Sequence, residues 1–131
     1  PGLVVYRFDD AILFFNADYF KMRLLEAVQR EASPKAVLFD AEAVSSIDVS
    51  GIAALREVRD TLKAQGIELG IARARGAFLR MLVRSGLARE MDNHLLYGSV
   101  RAGIRAYRLW RNKIRREEAD AGKVAPAPNL P

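Results

Sequence analysis

The residues best placed to do chemistry in this chain of 131 residues are Asp48, Ser50 and Gly51, at the start of a helix predicted for residues 50 to 65. Unpaired backbone amides and the positive end of the helix dipole favour an anion at such a position. A phosphoryl group on Ser50 would be stabilised there, and Asp48 would orient the hydroxyl or hold a magnesium-bound phosphate. Gly51 would let a second backbone segment come close. The loop is therefore a candidate anion site.

The same residue types are also ordinary helix caps. Asp or Ser before a helix contributes about 1 kcal/mol by accepting a hydrogen bond from a free backbone N–H group. Asp40 has an equally simple interpretation, because it ends a predicted strand. From the spacing alone, a structural role for the loop stays open beside the chemical one.

Other reactive groups are scarce, since the chain has no cysteine and one histidine, His94. Disulfides, thiolate catalysis and zinc–thiolate sites are excluded, and His94 is expected to be a loop or edge residue. Glu57 and Asp60 lie about one helical turn apart beside arginines, which predicts surface ion pairs and not a catalytic acid–base pair. Without a nucleophile–base pair or a metal set, we predict that the chain is not an enzyme and has no certain cofactor.

Positive charge is concentrated in one part of the chain. Residues 73 to 116 carry 12 basic and 2 acidic side chains, whereas the net charge of the whole chain is +5. Such a block is typical of a face that meets acidic lipid, nucleic acid or an acidic protein, and a solvated helix face is the alternative. The basic surface predicted on the last helix consists of Arg101, Arg105, Arg108, Arg111 and Arg115.

Trp110 lies within this block, close to Arg108 and Arg111. An exposed aromatic ring beside arginines can hold a base and a phosphate, which would indicate a nucleic-acid surface. Trp110 falls near the apolar stripe of its predicted helix, however, and this position favours packing in the core. We therefore do not expect nucleic acid to be a partner.

Apolar spacing predicts alternating strands and helices after an initial β-hairpin. The hairpin joins residues 3 to 8 with residues 11 to 15. The apolar run at residues 36 to 39 has no polar alternation, which is typical of a parallel strand covered on both faces. The other predicted elements are a helix from Asn16 to Ser33, the helix at 50 to 65, a strand at 67 to 72, a helix at about 77 to 84, a short strand at 95 to 97 and a helix from Ser99 to Arg116.

The predicted order is ββαβαβα(β)α, which implies an α/β fold with a mixed, mostly parallel sheet of four to five strands and about four helices. One domain is expected at residues 1 to 116. Residues 117 to 131 are rich in Ala, Pro and acidic residues, so they are predicted to form a disordered tail. No apolar run approaches the roughly 18 residues needed to span a bilayer.

Two short phrases carry a family resemblance. The Asp-Val-Ser-Gly element at residues 48 to 51 resembles the signature of the STAS family, the sulfate transporter and anti-sigma-factor antagonist domains. Residues 1 to 9 (PGLVVYRFD) and 13 to 20 (LFFNADYF) are similar to the transporter branch, whose phrase ends in Phe-x-Asn-Ala-x-x-Phe. Phe15 directly precedes Asn16 here, and Phe14 meets the spacing. The resemblance covers nearly the whole folded part.

The resemblance implies a STAS fold and a cytoplasmic regulatory domain of a SulP-type transporter of sulfate or a related inorganic anion, at the cytoplasmic side of the inner membrane. The implied partners are the transmembrane domain of its own transporter, a regulatory protein or kinase, and acidic lipids at the membrane surface. Stand-alone antagonists of the family are phosphorylated on the motif serine, so Ser50 is the candidate phosphoacceptor.

The family also makes Asp48, Ser50 and Gly51 the candidate loop for an anion or a nucleotide, GTP or ATP. No glycine-rich phosphate loop supports a nucleotide independently. The alternative to the transporter domain is a stand-alone anti-sigma factor antagonist that is switched by phosphorylation of Ser50.

Overall fold

The computed structural model describes residues 1 to 92 and 95 to 124. Strands and helices alternate along them, as the apolar spacing predicts. In chain order, the described elements are β1 (Leu3–Arg7), α1 (Ala17–Gln29), β2 (Ala36–Asp40), α2 (Val49–Ala64), β3 (Glu68–Ala72), α3 (Gly76–Arg84), α4 (Leu87–Glu90), β4 (Leu96–Tyr97) and α5 (Val100–Val124).

The described strands form one sheet in the order β1-β2-β3-β4, and every neighbouring pair is parallel. β2 lies between β1 and β3, with Ala36 in register with Leu3 on one side and Glu68 on the other. All five residues of β2 are buried. Helices cover both faces of β2, and this burial explains why its apolar run has no polar alternation.

Different helices cover the two faces of the sheet. Alternate residues of a strand point to opposite faces, so neighbouring residues of β2 show what packs on each. Phe39 faces the main core, where its ring lies 5.2 Å from that of Phe20 on α1 and where Leu55 on α2 is also buried. Leu38 points the other way, toward Gly103 of α5. α1 and α2 therefore cover one face, and α5 covers the other.

The predicted β-hairpin is wrong. The Asn16 side chain accepts a hydrogen bond from the Leu13 N–H at 2.7 Å and donates one to the Ala11 carbonyl at 2.8 Å. These bonds fold the segment after β1 into a turn, and the Asn16 side chain makes no capping hydrogen bond to α1. Ile12 is fully buried and forms a single parallel bridge with Ile47. The described sheet is consequently parallel, not mixed.

The helices also differ from the prediction in number and length. The described part has five instead of about four, because Gly86, at φ 84°, separates α3 from α4. α5 continues to Val124, through residues 117 to 124 that the sequence assigned to a disordered tail. Glu, Ala and Lys, which are strong helix formers, occupy much of this stretch. Residues 125 to 131 of the predicted tail lie outside the described residues.

Replacing Gly103 with alanine should lower the free energy of unfolding by about 1–3 kcal/mol, because overpacking a buried contact is costly. The new Cβ would lie 2.7 Å from both methyl carbons of Leu38. The matched control is Gly122→Ala in the same helix, where no atom lies within 4 Å of the added Cβ. That variant should keep its stability or gain up to about 1 kcal/mol. Urea unfolding measures both, and an unchanged Gly103→Ala variant would contradict the close packing of α5 on β2.

Candidate functional site

The N-terminus of α2 is held by the carboxylate of Asp48. Its Oδ1 accepts a hydrogen bond from the backbone N–H of Gly51 at 2.8 Å, and its Oδ2 accepts one from the backbone N–H of Phe14, also at 2.8 Å. One oxygen caps the helix, and the other fixes the segment that follows β1. The structure thus shows the capping role that the sequence left open, with both oxygens bound to backbone.

Backbone contacts join the same two segments. The Ile12 N–H donates to the Ser46 carbonyl at 3.0 Å, and the Asp48 N–H donates to the Ile12 carbonyl at 3.2 Å. Gly51 lies against this junction, since an added Cβ would be 2.3 Å from the Ile12 carbonyl oxygen and 2.5 Å from Cγ1 of Ile47. The close backbone approach predicted at Gly51 is therefore made by Ile12, and no residue with a Cβ fits there.

Ser50 is the second residue of α2, and it is exposed. It lies in the first turn, where backbone N–H groups lack helical partners and favour negative charge. The position therefore has the access and the electrostatic environment that a phosphoacceptor or an anion site needs. The phosphorylation itself and the binding of an anion or nucleotide stay predictions.

Three exposed apolar side chains surround this helix start and form what we call the aromatic patch: Phe14, Phe15 and Val49. Their exposed fractions are 77%, 66% and 75%. The hydrogen bond from Phe14 to Asp48 brings the two phenylalanines to the start of α2, and their rings meet edge to face at 5.6 Å. The patch was not predicted, because both phenylalanines fall in the predicted strand at residues 11 to 15. Neighbouring strand residues point to opposite faces, however, so at most one of the two could face a core.

A charged cluster lies at the carboxyl ends of β2 and β3. Asp40, at 5% exposure, is the buried charged residue of the described ranges. The guanidinium of Arg73 donates to it through Nε at 3.2 Å and through Nη2 at 2.9 Å, and the Glu42 N–H donates at 3.1 Å. Burial alone would raise the pKa of Asp40, but the hydrogen bonds from Arg73 and from the Glu42 backbone lower it below its usual value.

Arg73 adopts a left-handed backbone conformation, at φ 63°, which is uncommon for a residue with a side chain. The bidentate pair with Asp40 holds it there and ties the end of β2 to the loop after β3. The sequence predicts Asp40 only as the end of a strand, and its pair with Arg73 was not predicted. The position of the two residues in the sheet explains the pair, because Asp40 is in register with Ala72, the residue directly before Arg73.

The predicted basic surface lies on α5. Arg101, Arg105, Arg108 and Arg115 are exposed and lie within about 80° of one another around the helix axis, while Arg111 is partly buried and lies about 40° beyond Arg115. In the described part of the chain, none of these five arginines forms an ion pair. Four of the five arginines are thus exposed on one side of α5, and Arg111 lies at the edge of this group. Their role as a binding surface stays a prediction.

The structure also places Trp110 and the two acidic residues of α2, Glu57 and Asp60. Trp110 is 38% exposed, so its predicted place in the core is wrong. Glu57 pairs with Lys21 at 2.6 Å and Asp60 with Arg59 at 2.7 Å, as expected for surface ion pairs. His94 lies outside the described residues.

The described residues contain no group of three or more His, Cys, Asp or Glu side chains arranged to hold a metal ion. The described helices include none with the length and apolar character needed to cross a membrane.

Residues 1 to 103 match the family model described as STAS domain. The chain is 28% identical over 109 residues to the probable sulfate transporter Rv1739c of Mycobacterium tuberculosis H37Rv, covering 82% of this chain and 20% of that protein. It is 29% identical over 116 residues to high affinity sulfate transporter 2 of Stylosanthes hamata, covering 82% and 18%. The chain thus spans about a fifth of the length of these curated relatives.

Solved structures share the fold at low identity. A sulfate transporter family protein from Wolinella succinogenes aligns with a TM-score of 0.72 at 21% identity, covering 82% of this chain and 86% of that chain. The murine Slc26a9 anion transporter aligns with 0.71 at 15% identity, covering 79% and 17%. A candidate anti-sigma factor antagonist from Thermotoga maritima aligns with 0.69 at 15% identity, covering 82% and 88%. The α/β architecture is therefore that of both transporter-linked and antagonist domains.

Asp48→Ala should lower the free energy of unfolding by about 1–2 kcal/mol, because the N–H groups of Gly51 and Phe14 lose their acceptor. Ser50→Ala is the matched control two residues away, and the exposed serine should change stability by less than about 0.5 kcal/mol. Urea unfolding measures the free energy of unfolding of both variants. A loss at Ser50 as large as that at Asp48 would show that the serine is structural.

Proposed function

Because the chain belongs to the STAS domain family, we propose that it is the cytoplasmic regulatory and interaction domain of a SulP-type transporter of sulfate or a related inorganic anion. It would lie on the cytoplasmic side of the inner membrane and act through contacts, without catalysis. The observation that carries this proposal is the match of most of the chain to about a fifth of each sulfate transporter. Such a ratio is expected when one domain of a larger transporter is aligned.

The aromatic patch supports a protein contact at the start of α2. Its members Phe14, Phe15 and Val49 are each at least 66% exposed, and fully burying side chains of this size stabilises a contact by about 1.5–3 kcal/mol each. The proposed partner is the transmembrane domain of the same transporter. A fused domain is held beside that partner at a high effective concentration, so a small patch is enough for binding.

A regulatory protein or kinase is a further proposed partner, acting on Ser50. A phosphoryl group there would gain from the helix N-terminus but would add about 1.5 to 2 negative charges beside the exposed apolar side chains. Phosphorylation would therefore weaken an apolar contact at the patch. Mass spectrometry of the protein purified from its native cells tests for the phosphoryl group. A Ser50 that is unmodified under all growth conditions would contradict this proposal.

Binding of a nucleotide, GTP or ATP, at the loop formed by Asp48, Ser50 and Gly51 is a further proposal, which the geometry supports less well. Both Asp48 oxygens already bind backbone N–H groups, so they are poorly placed to hold a magnesium-bound phosphate. Amide resonances near Ser50 that do not move during titration with GTP or ATP would end this proposal.

The alternative function is a stand-alone anti-sigma factor antagonist, and the likeness to the Thermotoga maritima structure favours it as the second candidate. The gene sequence around this chain distinguishes the transporter domain from the stand-alone antagonist. Several transmembrane segments encoded in frame ahead of Pro1 would support the transporter domain. A start codon at this point beside a serine kinase gene would support the antagonist.

Acidic lipids are the third proposed partner, through the arginine line of α5. A cationic side chain near an anionic membrane surface gains about 1 kcal/mol. The four exposed arginines span residues 101 to 115, which is about 21 Å along the helix at a rise of 1.5 Å per residue. A straight line of this length can lie against a flat lipid surface, which supports a membrane contact when the domain is fused to a transporter.

In the full transporter, Phe14→Ser together with Phe15→Ser should lower anion uptake several-fold, because the apolar contact with the transmembrane domain is lost. The isolated chain should remain as stable as before, since both rings are exposed. Val83→Ser on α3 is the matched control, because Val83 is 62% exposed outside the patch. Uptake equal to that of the parent protein, at equal expression, would show that the patch is not a contact.

Arg101→Gln with Arg105→Gln should weaken binding of the 131-residue chain to phosphatidylserine vesicles at low salt about tenfold or more, because two charges leave the basic line. The matched control is Arg23→Gln with Arg30→Gln, two exposed arginines of α1 and its end. That pair should change binding little. Co-sedimentation measures both, and a parent chain that stays in the supernatant would refute the lipid contact.

A further inference from the structure

A groove of about 530 Å³ lies between α5 and the sheet face that α5 covers. α5 approaches the sheet most closely at Gly103, which meets the side chain of Leu38. About one turn further along the helix the space is left open, because Ala36 and Gly70 on the strands and Ala106 on the helix are too small to fill it. The groove thus results from small residues on both sides.

Three aromatic side chains line the groove: Tyr97 on β4, and Tyr107 and Trp110 on α5. The rings of Tyr107 and Trp110 lie 5.8 Å apart with their planes inclined at 49°. The Tyr107 hydroxyl donates to the Pro1 carbonyl at 2.7 Å, which fixes that ring. The Tyr97 ring lies against Gly70, where an added Cβ would be only 2.9 Å from it. The Tyr107 and Tyr97 rings are therefore fixed by contacts within the chain.

The charge of the groove is opposite to that of the helix that forms it. Its described lining contains two carboxylates, Glu68 and Asp92, and no arginine or lysine. The exposed arginines of α5, Arg101, Arg105 and Arg108, are not among the residues that line the groove. Burial, and to a lesser degree the charge of Glu68, raises the pKa of Tyr97. The charged side chains of the described lining are therefore both acidic.

We propose that the groove binds a small organic cation with a quaternary or tertiary ammonium group. The faces of tyrosine and tryptophan attract such a cation, and desolvation in a groove strengthens the attraction. Glu68 and Asp92 supply the compensating negative charge, and the apolar floor accepts the alkyl substituents. This binding site goes beyond the proposed transporter function and does not depend on it.

Trp110 is the one tryptophan of the chain, so its fluorescence reports on the groove directly. Choline is the cationic probe, and 3,3-dimethylbutan-1-ol is its neutral analogue of nearly the same shape. Titration of the 131-residue chain should give a saturable change with choline. The neutral analogue should bind about fivefold more weakly or worse, because it lacks the charge that the rings and carboxylates attract.

Two variants locate the site. Glu68→Gln should lower the affinity for choline at least about threefold, whereas Glu57→Gln, an exposed carboxylate on α2 across the sheet, should leave it unchanged. Trp110→Leu should weaken binding by about fivefold or more, measured by NMR because the fluorophore is gone. Circular dichroism shows whether each variant is folded, and the partial exposure of both positions permits the exchange.

Three results would overturn the proposal. A choline titration without saturation would show that no cation site exists. Equal affinity for 3,3-dimethylbutan-1-ol would show an apolar groove without charge recognition. Equal losses in Glu68→Gln and Glu57→Gln would place the cation outside the groove. None of these results bears on attachment to a transporter, which the gene sequence tests separately.

Discussion

The structure depends on covering β2 from both sides. All five of its residues are buried, and a parallel sheet of this kind needs helices on each face. α1 and α2 cover one face, which leaves α5 for the other. A helix is about 10 Å wide, whereas four strands at about 4.8 Å spacing extend over about 15 Å, so one helix cannot cover them all. Val5 on β1 is accordingly 48% exposed on that side, and a groove stays open beside Trp110.

The same arrangement separates charge across α5. The inner side of the helix contacts Leu38 of the sheet at Gly103 and the Pro1 carbonyl through Tyr107, so the exposed arginines are left for the outer side. The acidic groups Glu68 and Asp92 remain at the groove. One helix therefore presents a cationic line outward while it closes an aromatic, negatively charged groove inward.

At the carboxyl edge of the sheet, carboxylates position loops. Asp48 joins the start of α2 to the segment after β1, and Asp40 joins β2 to Arg73 after β3. Both carboxylates are bound by structural partners, whereas Ser50 in the first turn of α2 is exposed. The groups that hold this edge together are therefore already paired.

The sequence by itself determined the α/β class, the buried strand at residues 36 to 39, the helix start after Asp48 and the family, because these rest on local spacing and short motifs. Only the tertiary structure decided the turn before Asn16, the pair of Asp40 with Arg73 and the exposure of Trp110. Residues 11 to 15 have strand-like composition, but their buried partner is 35 residues further along the chain at Ile47. Local propensity carries no information on such partners, nor on how far a helix stands from the sheet that it covers.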